Sequence, residues 1–434
     1  IFLSFLGSLA FGGLVKYHYD GGKKFKFLRD TAIIFASVPI NFRKIIKFGS
    51  LNLDKPLPQI KHENKEKLKR YIPKKRNALL VLPRYDQSLA RSVVEVIDLI
   101  NFEVLHTYKH NVAEMHAKVE NNIEFPRLKI DNSPIRFLYQ HPLILDDGSM
   151  IGVSDIAYKI DFCSNLQWIN DEEIFHHSLM LDHEDNIWVG GQMNPKSKYV
   201  KKYSLENYDD DSIIKINTDG KILFNKSVTE ILIENKLVSD KFALSSYLSN
   251  EKDPIHLNDI EPALTDTEYW KKGDLFISIR NQNAIFHYRP SDNKVLNYIT
   301  GPFTRQHDVD IISDNEISIF NNNNSVVDNE HSEVLVYNFQ SKKFKKLFND
   351  QLKKSNFKTD TNGLSEIFKD GALMAEETNH GLILLINNEG KKELELINKA
   401  DNGLIGSFSW SRIIEDDIFI KKFKSLLESK KCTK

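Results

Sequence analysis

The sequence predicts an all-β chain: a six-bladed β-propeller with an N-terminal membrane-anchor helix. Three observations lead there. From residue 78 onward, short runs rich in β-branched and aromatic residues alternate with Asp/Asn/Gly turns, and few stretches carry a helical period. One kind of apolar strand then recurs, as SVVEVIDL (92–99), IAYKIDF (156–162), IIKINTDG (213–220), AIFHYRP (284–290), EVLVYNF (333–339) and LILLINNEG (382–390). Its spacing, roughly 45 to 75 residues, suits a four-stranded blade with loops. Finally, runs such as DLFISI and EISIF are short and apolar on both alternating faces, as strands covered on two sides must be. Six units fit between residue 78 and about residue 415. A ring of blades shelters sheet edges that an open array would leave exposed; the rival architecture is a pair of β-sandwiches.

The segments around this body read as follows. Residues 1–15, IFLSFLGSLAFGGLV, carry no charge. A bilayer span needs about 20 apolar residues, so the stretch reads as the C-terminal part of an uncleaved signal anchor. Residues 30–42 read as an interfacial helix, which makes 1–50 the membrane segment. Lys16, Lys23, Lys24, Lys26 and Arg29 would by themselves hold their side of the membrane cytoplasmic. Residues 51–77, rich in Lys and Pro, read as a linker; 78–420 as the propeller; and 421–434 as a charged tail. Cys163 and Cys432 are the two cysteines. They form no metal motif, and one bridge between them is open, with Cys432 in a Lys-rich tail expected to fray. Lys+Arg is 59 against 60 Asp+Glu, so the balance gives no electrostatic basis for nucleic-acid binding. Phosphate-binding loops, G-x-S-x-G and H-E-x-x-H are lacking, so nucleotide-dependent chemistry has no support.

In a propeller the innermost strand of every blade lines the central channel, so equivalent positions converge on one axis. Here the second to fifth units place histidine at that position: His141 in QHPLI, His176 and His177 in FHHSLML, His256 in IHLNDI and His307 in RQHDVDI; in the sixth, Asn362 or Gly363 takes the slot. Imidazole titrates near neutrality and can accept a transferred group covalently. His256 and His307 are therefore the expected catalytic residues. His177, Asn258, Arg280 and Asp308 are expected to bind substrate: Asn258 by strand alternation with His256, Arg280 as an anion clamp, Asp308 by orienting its neighbours. No spacing among the histidines defines a metal ligand set, so no metal or other cofactor is expected. Asn321–Asn324 read as a turn with left-handed positions, and Glu376 and Glu377 as structural or surface carboxylates.

HHSLMLDHEDNIWVGG, HLNDI followed by GDLFISIRNQNAIFHY, GPFTRQHDVDIISDNEISIFNNN and GLSEIFKDGALMAEE together resemble the arylsulfotransferase family, over roughly residues 130–410. The resemblance implies a six-bladed propeller, a periplasmic or extracellular body, and transfer of a sulfuryl group between small phenolic compounds without a nucleotide donor. It implies ping-pong chemistry through a sulfohistidine, with His256 and His307 matching two family active-site histidines. Two family features have no direct counterpart. An arginine shortly after the QHD strand is replaced by Asn321–Ser325, and for the last-blade histidine that accepts the sulfuryl group the chain offers only His380, in a turn. The nucleophile, the donor and the acceptor stay open at this point. The alternative readings are a non-catalytic propeller binding a ligand or protein partner outside the cytoplasm, and a different hydrolase or lyase, with or without a metal held by three of the histidines.

Overall fold

The computed structural model describes residues 2–19, 27–28, 31–32, 35, 56, 58–73, 75–120, 133–202, 208–237, 253–324 and 331–432. The chain divides into two compact units, 1–57 and 58–434. In the first, Phe2–Tyr19 is helical. Among the described residues no helix is long and apolar enough to cross a membrane. The interfacial helix expected over 30–42 lies largely outside the described residues.

The second unit is mostly β and propeller-like. A three-residue strand, β1 (Leu68–Arg70), precedes the meander β2 (Leu79–Asp86), β3 (Arg91–Asp98) and β4 (Glu103–Tyr108). Next come β5 (Gln140–Ile144), β6 (Met150–Ile160), β7 (Leu166–Leu181), β8 (Ile187–Gln192), β9 (Asp211–Ile216) and β10 (Ile222–Ser227), joined in one six-stranded sheet. Two four-stranded antiparallel meanders follow: β11 (Leu257–Pro262), β12 (Leu275–Ile279), β13 (Ala284–Arg289), β14 (Lys294–Ile299), and β15 (Val309–Ser313), β16 (Glu316–Asn321), β17 (Glu333–Asn338), β18 (Lys343–Leu347). The meander β19 (Leu364–Ile367), β20 (Leu373–Glu377), β21 (Leu382–Ile386), β22 (Lys392–Ile397) takes β1 on its outer edge. β23 (Arg412–Ile414) pairs with β2 and completes the sheet of β2–β4. These are four blades of simple form. The six recurrent apolar runs fall in β3, β6, β9, β13, β17 and β21, each hydrogen-bonded on both sides; LILLI is buried along its whole length because Leu382, Leu384 and Ile386 pack into one apolar cluster and Ile383 and Leu385 into another.

Neighbouring sheets are latched by carboxylates. Asp211 accepts the Leu257 N–H (2.8 Å), Asp259 that of Val309 (2.9 Å), Asp308 that of Ser365 (2.9 Å) and Glu376 that of Ser411 (2.8 Å). Each bond satisfies a buried backbone donor where the chain enters an innermost strand, a group that is costly to leave unpaired.

Two boundaries differ from the sequence reading. Residues 58–77 belong to the body instead of forming a linker: Gln59 bridges to Ile405, β1 pairs with β22, and the Arg76 guanidinium holds Glu393 (2.9 Å) and Asp370 (3.1 Å). Lys61 and His62 both engage the buried Glu377. The basic residues that suggested a solvated strut are partners for carboxylates on the last blade. The tail is likewise ordered. Asp416 caps a helix, Asp417–Ser429, through the N–H groups of Ile418 and Phe419. Ile420 and Phe423, three apart, share one helix face and are buried beside Phe162 and Tyr108. Beyond the helix, Cys432 is disulfide-bonded to Cys163, with Cα atoms 5.3 Å apart. Counting the lysines had obscured this apolar stripe.

Candidate functional site

Six non-glycine residues with left-handed backbones stand at or just before innermost strand segments: His141 (φ 37°), His177 (φ 66°), His256 (φ 53°), Arg305 (φ 55°), Asn362 (φ 58°) and Trp410 (φ 64°). Each costs about 1–2 kcal/mol relative to ordinary backbone, and such strain concentrates at functional sites. Bulges accompany three of them, at Gln140/Leu143, His176/Leu179 and Leu257/Asp259, turning the side chains away from regular alternation.

The histidines meet around Trp410. Its ring centroid lies 5.7 Å from that of His141, 6.1 Å from His177 and 6.1 Å from His307, and the His177 and His256 rings are 5.5 Å apart. The buried Glu376 fixes the tryptophan backbone, accepting its N–H (3.1 Å) along with the Ser411 N–H and hydroxyl. Beside the rings is a cavity of about 160 Å³, lined by Leu138, Gln140, His177, Asn362, Thr378, Asn379, Ser407, Phe408, Ser409 and Trp410.

The two imidazoles expected to be catalytic have different surroundings. His307 is buried, and both its nitrogens are engaged. Nε2 accepts the Asn362 N–H (3.0 Å), so Nδ1 carries the hydrogen and donates to Asn322 Oδ1. Burial, then the Arg280 charge, pushes its pKa down to about 3. It is neutral at physiological pH, and neither nitrogen is free to attack. His256 keeps 28% of its side chain exposed. Its Nδ1 bonds to Asp253 Oδ2, while Asp253 Oδ1 accepts the His256 N–H (2.9 Å). Nε2 of His256 has no hydrogen-bond partner among the described residues. Burial would raise the Asp253 pKa, but the hydrogen bonds and charge of His256 bring it below the usual range. The Asp253 carboxylate thus holds the imidazole in the tautomer with the hydrogen on Nδ1 and the lone pair on Nε2.

The substrate-binding candidates also separate. His177 lines the cavity, its Nδ1 2.6 Å from that of His176. Gly190 faces His176, and a Cβ there would stand 3.2 Å from the ring. Arg280 opens the turn after β12, its N–H donating to the His256 carbonyl (2.9 Å). Its Nε is buried without a hydrogen-bond partner, and burial together with the Arg305 charge lowers its pKa. Asn258, expected to share the His256 face, sits in the β11 bulge, fully buried, with Nδ2 donating to the Gln306 carbonyl (2.9 Å). Asp308 is buried as the latch to Ser365. Both brace the strands; neither lines the cavity. His380 stands in the turn Thr378–His380, its electrostatic neighbours Glu377, Lys61, His62 and Asp360. Asn322, at the missing family arginine, positions His307 and also donates to the Asn362 carbonyl (2.7 Å). Among the described residues no group of three or more His, Cys, Asp or Glu is placed to hold a metal ion.

Sequence reasoning missed Trp410, Asp253, Gln140 and Asn379. Asp253 stands three residues before His256, a spacing that a search for histidine-orienting carboxylates finds. Trp410 holds the slot of the first blade, but that is visible only once β23 is known to pair with β2.

No curated protein matches the chain. Similar solved structures include a Bacteroides caccae protein of unknown function (10% identity, TM-score 0.48, 78% of this chain and 100% of that one). TolB from Acinetobacter baumannii is similar at 9% identity and TM-score 0.46, over 79% of this chain and 68% of that one. Virginiamycin B lyase from Staphylococcus aureus gives 14% identity and TM-score 0.34, over 59% and 69%. The arylsulfotransferase (ASST) sequence model matches residues 146–399, more than half of the chain and all of the strands from β8 to β22, so the chain belongs to the arylsulfotransferase family.

Proposed function

We propose that this protein is an aryl sulfotransferase that moves a sulfuryl group between phenolic compounds without a nucleotide donor, with His256 as the nucleophile. The observation that carries the reading is the Asp253–His256 pair, with an unpartnered imidazole nitrogen beside an arginine that has an unpartnered N–H. Nε2 attacks the sulfur of an aryl sulfate. The S–N bond forms, the S–O(aryl) bond breaks, and the electron pair leaves on the phenolate oxygen. Asp253 balances the positive charge of the sulfonated imidazole, and Arg280 faces the sulfuryl oxygens, where negative charge accumulates. The phenolate, whose conjugate acid ionises near pH 10, takes a proton from His177, whose ring is 5.5 Å from that of His256. In the second half-reaction His177 removes the proton of the acceptor phenol. Its oxygen attacks sulfur, and the S–N electron pair returns to Nε2. His307 holds Asn362 and Trp410 in place.

The same reading takes the body as a six-bladed ring. The length of β7 supports this: its first half pairs with β6 and its second half with β8, so it closes one blade and opens the next. The Cys163–Cys432 disulfide supports a body outside the cytoplasm, where such bonds persist, held to the membrane by the N-terminal segment.

The test is release of a chromogenic phenol from its sulfate ester, with and without an acceptor phenol. His256→Ala is expected to lower turnover at least about a thousandfold and Asp253→Asn about a hundredfold, through loss of the nucleophile and of its tautomer. Equal phenol release by wild type and His256→Ala overturns the assignment.

A further inference from the structure

The cavity beside Trp410 has a hydrogen-bonding character of its own. Gln140 Oε1 accepts the His177 N–H (3.0 Å), and Asn379 Oδ1 accepts the Thr359 hydroxyl (2.5 Å) and the Thr361 N–H (3.3 Å). Backbone N–H donors therefore fix which way both amides face, since only the oxygen can accept. The NH2 groups of Gln140 and Asn379 have no partner among the described residues. The Trp410 indole N–H is also unpartnered, although the residue is only 4% exposed. A buried donor left without an acceptor is costly, and the Trp410 N–H, with two amide NH2 groups on the same cavity, calls for a ligand that supplies oxygens. The remaining walls come from Leu138 and Phe408, from the hydroxyl residues Thr378, Ser407 and Ser409, and from His177 and Asn362, and the lining includes no carboxylate and no Lys or Arg. At about 160 Å³ the space suits one aromatic ring with a small substituent, since an apolar cavity of about 150 Å³ accommodates benzene.

We propose that this cavity selects aryl substrates bearing an acceptor oxygen away from the reacting hydroxyl, a ketone or a carboxylate, which the N–H groups of Gln140, Asn379 and Trp410 bind while the ring packs against Phe408 and Leu138. The inference rests on the aryl-transfer reading above and adds to it the substrate class.

Calorimetric titration of the full chain with 4-hydroxyacetophenone, 4-hydroxybenzoate and phenol tests it. Asn379→Asp and Gln140→Glu keep the inward oxygen and remove the N–H donors, and Trp410→Phe removes the indole N–H while keeping a ring. Each is expected to weaken the ketone about tenfold, the worth of one hydrogen bond, and phenol by less than about twofold. The uncharged ketone separates loss of a donor from the repulsion that the acidic variants exert on the benzoate, and Trp410→Phe repeats the test without added charge. Unchanged ketone affinity in all three variants, or equal losses for ketone and phenol, overturns the proposal. Donor-dependent ketone binding in a protein that transfers no sulfuryl group leaves this subsite standing and removes the reaction assigned above.

Discussion

His307 shows how far a residue type can mislead about its chemistry. Its recurrence at an innermost strand was legible in the sequence, as was its convergence with the other unit histidines. Its engagement was not, because the Asn362 N–H and the Asn322 amide approach from segments 55 and 15 residues away. Burial as a neutral ring has a pH signature. The folded pKa near 3 lies below the unfolded value of about 6.5, so the stabilisation is complete above pH 6.5 and is lost as pH falls towards 3. His307→Asn is expected to flatten this dependence, so that the melting-temperature gap between wild type and variant narrows from pH 7 to pH 4.5 in a thermal-shift series. Arg280 offers a second prediction: Arg280→Met should raise KM for an aryl sulfate about tenfold or more, through loss of a charged hydrogen-bond donor to the sulfuryl oxygens.

Among the elements, strands were readable and their attachments were not. The apolar runs at β12, β16 and β21 identify themselves, because a strand covered on both faces must be continuously apolar. Segments that add to the body by pairing charges leave no such mark. β1 has the pattern LKR, and its stability comes from β22 and from Lys65 meeting Glu395 at 3.2 Å, a partner 330 residues away. The C-terminal helix combines modest burial with one covalent tie. Phe423→Ala is expected to cost about 3–5 kcal/mol. Replacing Cys163 and Cys432 by serine should cost about 2–4 kcal/mol by releasing the chain constraint. Urea melts monitored by circular dichroism check both, and unchanged midpoints would mean that the helix adds nothing to the body.

For the molecule as a whole, the axis is crowded with acid. Burial, reinforced by mutual repulsion, raises the carboxyls of Glu261, Asp308 and Asp310 well above the usual range and holds Glu366 near 7, while Arg412 supplies the cation among them. A carboxyl with a raised folded pKa destabilises progressively as pH climbs from about 4 through that pKa. Glu366→Gln is therefore expected to gain melting temperature relative to wild type at pH 8 and not at pH 4.5. The body also pairs early strands with late ones, β2 with β23 and β1 with β22. Strands more than 300 residues apart meet there, so these two sheets stay incomplete in a growing polypeptide until residues 412–414 have left the ribosome. The fold itself thus delays the moment at which Trp410, just before β23, reaches the histidines around it.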